Sequence, residues 1–424
     1  MGPVPLFPFL SVTWFTLLVA VVAAEDVTGD GYTWPQWKVP LVRNRRTVTL
    51  SSPGFTAEPQ GELNGTCGIE CQSHLPDPSM HDLEEFLAYE TVYENGTRTQ
   101  TFVSVQGDNG VDVWSAGKVS SSSRSRRKRE VYGTDTRFTI ADKQFSSKYP
   151  FSTSVKISTG CSGILVSPKH VLTAAHCIHD GRDYLNGAQK LRVGVLKEKS
   201  RRGKGGRGKR GRGKGKRRKG GEEEEEKEEK DRGKERKGGK RKKSRSRRSV
   251  ETEKLSFRWT RVKLTQIPKG WFKGGASDSV AADYDYAVLE LKKPQKVMHM
   301  DLGVVPSIKN LPAGRIHFSG FDDDRSGNLV YRFCSVTEES KDLLYQHCDA
   351  KHGSSGSGVY IRLKEPGKKK WKRRIIGVFS GHQWVNVNVD GAQQDYNVAV
   401  RITPLKYAQI CYWVHGDSGE CRKA

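Results

Sequence analysis

The stretch from Gly160 to Cys177, GCSGILVSPKHVLTAAHC, constrains this chain more than any other, because it sets a histidine inside two half-cystines sixteen residues apart. Cysteines so placed predict a Cys161–Cys177 bridge around a short apolar run. His176 then sits between a pair of alanines and a half-cystine, a frame suited to general-base chemistry. His179, three residues on, has no comparable frame. The two histidines would make a poor metal pair, and no Glu supplies a zinc-protease pattern, so no metal is expected.

The chain after Glu130 is rich in short β-branched and aromatic runs. Arg137 to Ile140, Thr153 to Ile157, Gly163 to Val166 and Leu191 to Leu196 come first. Ser256 to Thr265, Tyr286 to Leu291, Val330 to Phe333, Gly358 to Leu363, Arg374 to Phe379 and Asn397 to Ile402 follow. Many short strands without long alternating helices predict an all-β fold, a sandwich or paired barrels. One helix is expected at the end, over Pro404 to Val414, with Pro404 in its first turn and Gly416 as its stop.

The rest of the chain reads as extensions. Residues 1–24 are apolar and end in Val22-Ala23-Ala24, the pattern of a cleaved signal peptide, so a secreted, extracellular product without a membrane anchor is expected. Eight cysteines suit that compartment. Cys334 and Cys348 are expected to pair, while Cys67, Cys71, Cys411 and Cys421 leave several pairings open. Asn64 and Asn95 open Asn-Gly-Thr sequons and are the expected glycosylation sites. Residues 25–129 read as an N-terminal pro-region with one helix between Met80 and Tyr93 and without the strand density of a barrel. It ends in Arg126-Arg127-Lys128-Arg129, a convertase processing site that exposes Glu130. A proprotein convertase is therefore an expected partner.

The formal charge of +25 is unevenly spread. Residues 201–250 hold 25 Lys/Arg against 9 Asp/Glu, which puts +16 in that segment alone. An insert over 197–250, nearly devoid of apolar residues, cannot offset its ordering entropy and is expected to be disordered. In a secreted protein its partner is expected to be heparin or a sulfated proteoglycan, and not nucleic acid.

A serine hydrolase needs a nucleophile, a base, a group to orient the base and donors for the oxyanion. Asp285, just before an apolar strand, is the expected orienting acid, with Asp283 as its rival. The local Gly-Asp-Ser-Gly at Gly416 to Gly419 is rejected because the few residues after Ser418 are too short a segment to wall a pocket. Ser355, within Gly353-Ser354-Ser355-Gly356, is the expected nucleophile. The amides of Gly353 and Ser355 are the expected oxyanion hole.

These motifs resemble the chymotrypsin/trypsin-like serine peptidase family over residues 130–424, and more closely the secreted vertebrate subgroup of serine proteases 23 and 35. TGCSGILVSPKHVLTAAHC, DYDYAVLELKKP and GSSGSGVY carry the likeness, as does RRKR followed by Glu130-Val131-Tyr132-Gly133. The resemblance implies a two-β-barrel fold for 130–424, interrupted by 197–250, and a triad of His176, Asp285 and Ser355 with no cofactor. It also marks departures. Ser354 stands where the wider family has the Asp that receives a new N-terminal ammonium. Asp349 falls near the basic-residue selector, and His382 on a pocket wall would favour an acidic side chain. The expected activity is secreted serine endopeptidase hydrolysis of a protein or peptide substrate through an acyl-enzyme. The alternative is a weak or inactive protease-fold protein that binds extracellular matrix polyanions.

Overall fold

The β-branched runs become strands that pair into two sheets. The computed structural model describes residues 32–50, 78–106, 122–124, 134–181, 183–197, 255–272, 280–309, 311, 314–386, 393–416 and 419–424. The leader at 1–24, Asn64, Cys67, Cys71, the Arg129–Glu130 junction, the basic insert beyond Lys197 and Ser418 lie outside them.

In chain order, β1 (Leu41–Thr49), β2 (Tyr89–Tyr93) and β3 (Arg98–Gln106) precede the short β4 (Ser122–Arg124) and β5 (Phe138–Ile140). The first barrel is built from β6 (Ser154–Ile157), β7 (Ser162–Leu165), β8 (His170–Thr173), β9 (Arg192–Leu196), β10 (Phe257–Pro268) and β11 (Ala287–Leu291). Its circuit runs β10-β11-β8-β7-β6-β9 and closes by β9 pairing with β10. The second is built from β12 (Arg315–Gly320), β13 (Leu329–Glu339), β14 (Leu343–Gln346), β15 (Gly358–Lys364), β16 (Trp371–Asn386) and β17 (Gln393–Arg401). Its circuit runs β12-β15-β16-β17-β14-β13 and closes by β12 pairing with β13.

Period-two burial explains these strands. On β6, Val155 and Ile157 are fully buried while Lys156 between them is not. In the second barrel Ile316, Phe318, Val359, Ile361 and Phe379 fill the interior, with the Phe318 and Phe379 rings stacked at 4.9 Å. Each such apolar side chain contributes about 1.5–3 kcal/mol through burial. The predicted terminal helix spans Pro404–His415, capped by Thr403 and stopped at Gly416. Among the described residues no helix is long and apolar enough to cross a membrane.

The region before Arg129 differs from its sequence reading. Helix occupies only Met80–Leu87, started by a capping box between Ser79 and Asp82. Tyr89 to Tyr93, read as helical, is instead strand β2. Its β-branched and aromatic residues pair with β10 of the first barrel, and β3 and β1 extend the sheet outward. The region therefore does carry strands, and they are built into the first barrel's sheet. Trp34, 1% exposed, packs in the second barrel's core and donates its indole N–H to the Lys372 carbonyl at 3.0 Å. Tyr89 meets Trp413 of the C-terminal helix edge-on at 5.2 Å. Glu90 accepts from Tyr184 at 2.7 Å and pairs with Arg98. Asn95 lies in the turn between β2 and β3.

The insert's ends are close together. Leu196 and Phe257 are register partners, and Lys197 N–H donates to the Ser256 carbonyl at 2.9 Å. The insert is thus the connection of a β-hairpin.

Candidate active site

Strand β8 stops at Thr173, and a tight turn over Ala175–Cys177 swings His176 toward the second barrel. Ala174 and Ala175 are fully buried. The disulfide Cys161–Cys177 (S–S 2.05 Å) ties this turn to the start of β7. These two sulfurs lie near His176, but joined to each other they offer no thiolate to a metal.

Asp285 ends the one-turn approach to β11 and is fully buried. Its Oδ1 accepts the His176 backbone N–H at 2.8 Å, and its Oδ2 lies 2.7 Å from His176 Nδ1. A carboxylate only accepts, so Nδ1 carries the hydrogen and Nε2 presents its lone pair. Ser355 Oγ lies 2.8 Å from that Nε2 and donates to it. Asp283 does not take this place. Burial, reinforced by Asp342, pushes its carboxyl well above the usual carboxylate range, and Lys406 opposes the shift.

The loop 351–357 holds Ser355 by backbone conformation. Gly353 (φ +92°) and Gly356 (φ +78°) occupy the left-handed region. A Cβ on Gly356 would sit 2.1 Å from Thr173 Oγ1, and one on Gly353 would sit 2.3 Å from the Phe321 carbonyl oxygen. Among the described residues the Gly353 and Ser355 amides have no acceptor, which leaves them available to an oxyanion.

Two supporting residues escaped the sequence reading. Ser380, on β16, donates to Asp285 Oδ2, and its carbonyl lies 3.3 Å from Ser355 Oγ. Ser162, on β7, donates its Oγ to the Gly353 carbonyl at 2.7 Å and its N–H to the Ser355 carbonyl at 2.8 Å. The first barrel thereby braces the loop of the second. Only the small residues around Ser162 and Ser380 hint at these roles in the sequence.

Where the family pattern has an activation carboxylate, this chain has an internal network. Ser354 is fully buried and donates its Oγ to the Lys351 carbonyl at 2.6 Å. Lys351 N–H donates to Asp322 Oδ2 at 3.2 Å, and Asp323 N–H donates to the His352 carbonyl at 2.7 Å. Asp322 pairs with buried Arg332 and, at 2.8 Å, with buried Arg137, which also holds Asp135 and Asp324.

The two specificity candidates are engaged by the protein itself. Asp349 is 1% exposed, and its Oδ2 accepts both the backbone N–H and the hydroxyl of Thr136, each at 2.7 Å. His382 is buried on β16, with Nε2 2.9 Å from Asp395 Oδ2. Disulfides also join Cys334 to Cys348 and Cys411 to Cys421.

A family model described as Trypsin matches residues 140–215. Inactive serine protease 35 of Macaca mulatta is 56% identical over 408 residues, covering 96% of this chain and 98% of that protein. Inactive serine protease 35 of Bos taurus is 61% identical over 413 residues, covering 97% and 98%. Serine protease 23 of Bos taurus is 50% identical over 391 residues, covering 92% of each. These kinships correct the expectation of a working endopeptidase with an acyl-enzyme. Relatives named inactive match nearly the whole chain, so possession of the three triad residues does not assign hydrolysis.

Proposed function

The chain belongs to the trypsin-like serine protease family, in the group of serine proteases 23 and 35, and from that premise we propose an extracellular protease-fold protein with weak or no turnover that binds sulfated matrix polyanions. The observation that carries this reading is 54–61% identity to relatives named inactive over 96–97% of the chain. In this reading residues 1–24 direct export, and a convertase cuts after Arg129. The triad residues keep their packing roles around Asp285. Three disulfides among the described cysteines support an oxidising compartment.

The polyanion contact is assigned to residues 201–250, whose +16 hangs from the β9–β10 hairpin. Such a contact is electrostatic and weakens with salt. The paired hairpin ends allow the segment to be replaced by a short turn. The test compares full-length protein, that replacement and Ser355→Ala on immobilised heparin and with a casein substrate. The replacement should elute at much lower salt. Full-length protein should cleave casein no faster than Ser355→Ala. Unchanged elution, or cleavage that disappears with Ser355→Ala, would overturn the proposal.

A further inference from the structure

The outer face of the second barrel carries three arginines in a row across three adjacent strands. Arg362 on β15 is the register partner of Arg373 on β16. The antiparallel pairing of His317 with Tyr360 places Arg315 of β12 opposite Arg362 from the other side. Directly opposed residues share a face, so the three Cα positions form one line about 10 Å long at normal strand spacing, with all three side chains on the same face.

Like charges opposed across strands are destabilising. Here nothing of opposite sign relieves them: among the described residues none of Arg315, Arg362 and Arg373 has a carboxylate partner or a side-chain hydrogen bond. Each instead lies over an aromatic ring, Arg315 over Phe333 at 5.6 Å, Arg362 over Trp371 at 5.0 Å and Arg373 over Tyr149 at 5.9 Å. Rings hold the guanidinium planes and leave their N–H donors unused. His317, at the centre of this face, is held down to about 4, first by burial and then by Arg373, Arg315 and Arg362. The positive field is therefore felt inside the sheet. A groove of about 510 Å³ lined by Lys309, Arg315, His317, Arg362 and Trp371 runs along it. Lys364 adds its ammonium 5.6 Å from the exposed Trp371 ring, and the turn that follows presents Lys368, Lys369 and Lys370 to solvent.

We infer that the Arg315–Arg362–Arg373 ladder and Trp371 form a folded binding site for a sulfated polysaccharide. Guanidiniums match sulfate oxygens by paired N–H donors, and the exposed part of the Trp371 indole beside them adds apolar contact area for a sugar ring. The compartment argued from the disulfides favours sulfated glycan over nucleic acid. The inference takes its ligand class from the polyanion reading above but places the contact on the fold, apart from residues 201–250.

The probe is a heparin decasaccharide, titrated over a salt series against the full chain and against Arg315→Gln/Arg362→Gln/Arg373→Gln in the full chain. Covalent footprinting of arginine and lysine locates the contact. The triple variant should bind at least tenfold more weakly. Its plot of log affinity against log salt should be shallower by roughly two to three, since about one counterion is released per neutralised contact. Peptides containing Arg315, Arg362 and Lys364 should be protected. The variant removes the repulsion together with three cation–π contacts of similar size, so its melting temperature should change little. The matching triple Arg→Lys variant should keep the salt slope while losing affinity. Protection confined to 201–250 with an unchanged slope would overturn the inference. Tighter binding of a single-stranded oligonucleotide of equal charge would also overturn it. Loss on the ladder substitutions with no effect of replacing 201–250 would uphold this site and refute the insert contact.

Discussion

Replacing Asp322 by asparagine should destabilise the protein by about 3–5 kcal/mol, the range expected when one partner of a buried ion pair is removed. The carboxylate is fully buried and receives three donors: Arg332, Arg137 and the Lys351 amide. Arg137 keeps Asp135 and Asp324 after the change. Arg332 does not. Its side chain is 1% exposed, and its one ion pair among the described residues is with Asp322. The Phe318 ring 4.9 Å from its guanidinium is the remaining support. The asparagine side chain would keep the shape of the site and remove its charge, so the loss reports electrostatics and not a cavity.

The partner substitution is predicted to be milder. Arg332→Met removes a cation whose burial already lowers its pKa, while Asp322 keeps Arg137 as counter-ion. The double variant Asp322→Asn/Arg332→Met should recover part of the loss seen with Asp322→Asn alone, with a coupling of about 0.5–3 kcal/mol in a double-mutant cycle. For a domain of this size, 3–5 kcal/mol lowers the melting temperature by about 10 °C. Hydrogen exchange should also quicken at Lys351 to Ser355, because the loop loses the acceptor of its Lys351 amide. A melting temperature within about 2 °C of wild type, on the same size scaling, would refute the reasoning. So would strictly additive effects in the cycle.

Cutting after Arg129 should not release the N-terminal region. The six cysteines after that point pair among themselves, so no disulfide spans the cut, yet β2 stays paired to β10 and Trp34 stays in the second core. The fragments should co-elute on size exclusion and separate on denaturing gels without reductant. Burial holds His179 down to about 4, its ring between Tyr184 and Phe272 and its Nδ1 accepting from Gly181 N–H. As pH falls from about 6.5 to 4, the unfolded chain takes a proton that the folded ring refuses, so stability falls by up to about 3 kcal/mol. Unfolding midpoints measured across that window, with His179→Phe flattening its share, check this.

What was legible in the sequence was local. The cysteines around His176 lie sixteen residues apart, and the turn they frame is built from adjacent small residues. The strands with strong alternation, such as Ser154–Ile157, were likewise visible. Asp285 stood out from Asp283 because an apolar strand follows it at once. β1 was hidden because Leu41–Thr49 is mostly exposed, with three arginines breaking its alternation, and its partner β3 begins about fifty residues later. β2 was hidden because a capped helix runs into it after one residue. The Arg137–Asp322 and Thr136–Asp349 contacts join residues 185 and 213 positions apart, and no local pattern marks which carboxylate a distant donor will meet.

That distance also explains how a well-formed triad is compatible with the weak turnover proposed here. The hydrogen bonds from Asp285 through His176 to Ser355 supply a base and a nucleophile, worth roughly 10²–10⁴ in rate. Much larger factors come from holding a substrate in register with them, up to about 7–11 kcal/mol of the barrier. That holding needs groups in the pocket with unspent interactions. Asp349 gives one oxygen to two donors from Thr136, and His382 faces Asp395, so both polar anchors nominated by the sequence already serve the fold. The triad has a structural use as well: Asp285 is fully buried, and the His176 amide, the His176 ring and Ser380 all donate to it. Removing His176 or Ser380 would leave that carboxylate under-satisfied in the core. Packing alone is therefore enough to keep His176, Asp285 and Ser380 together, whether or not a peptide bond is ever presented to Ser355.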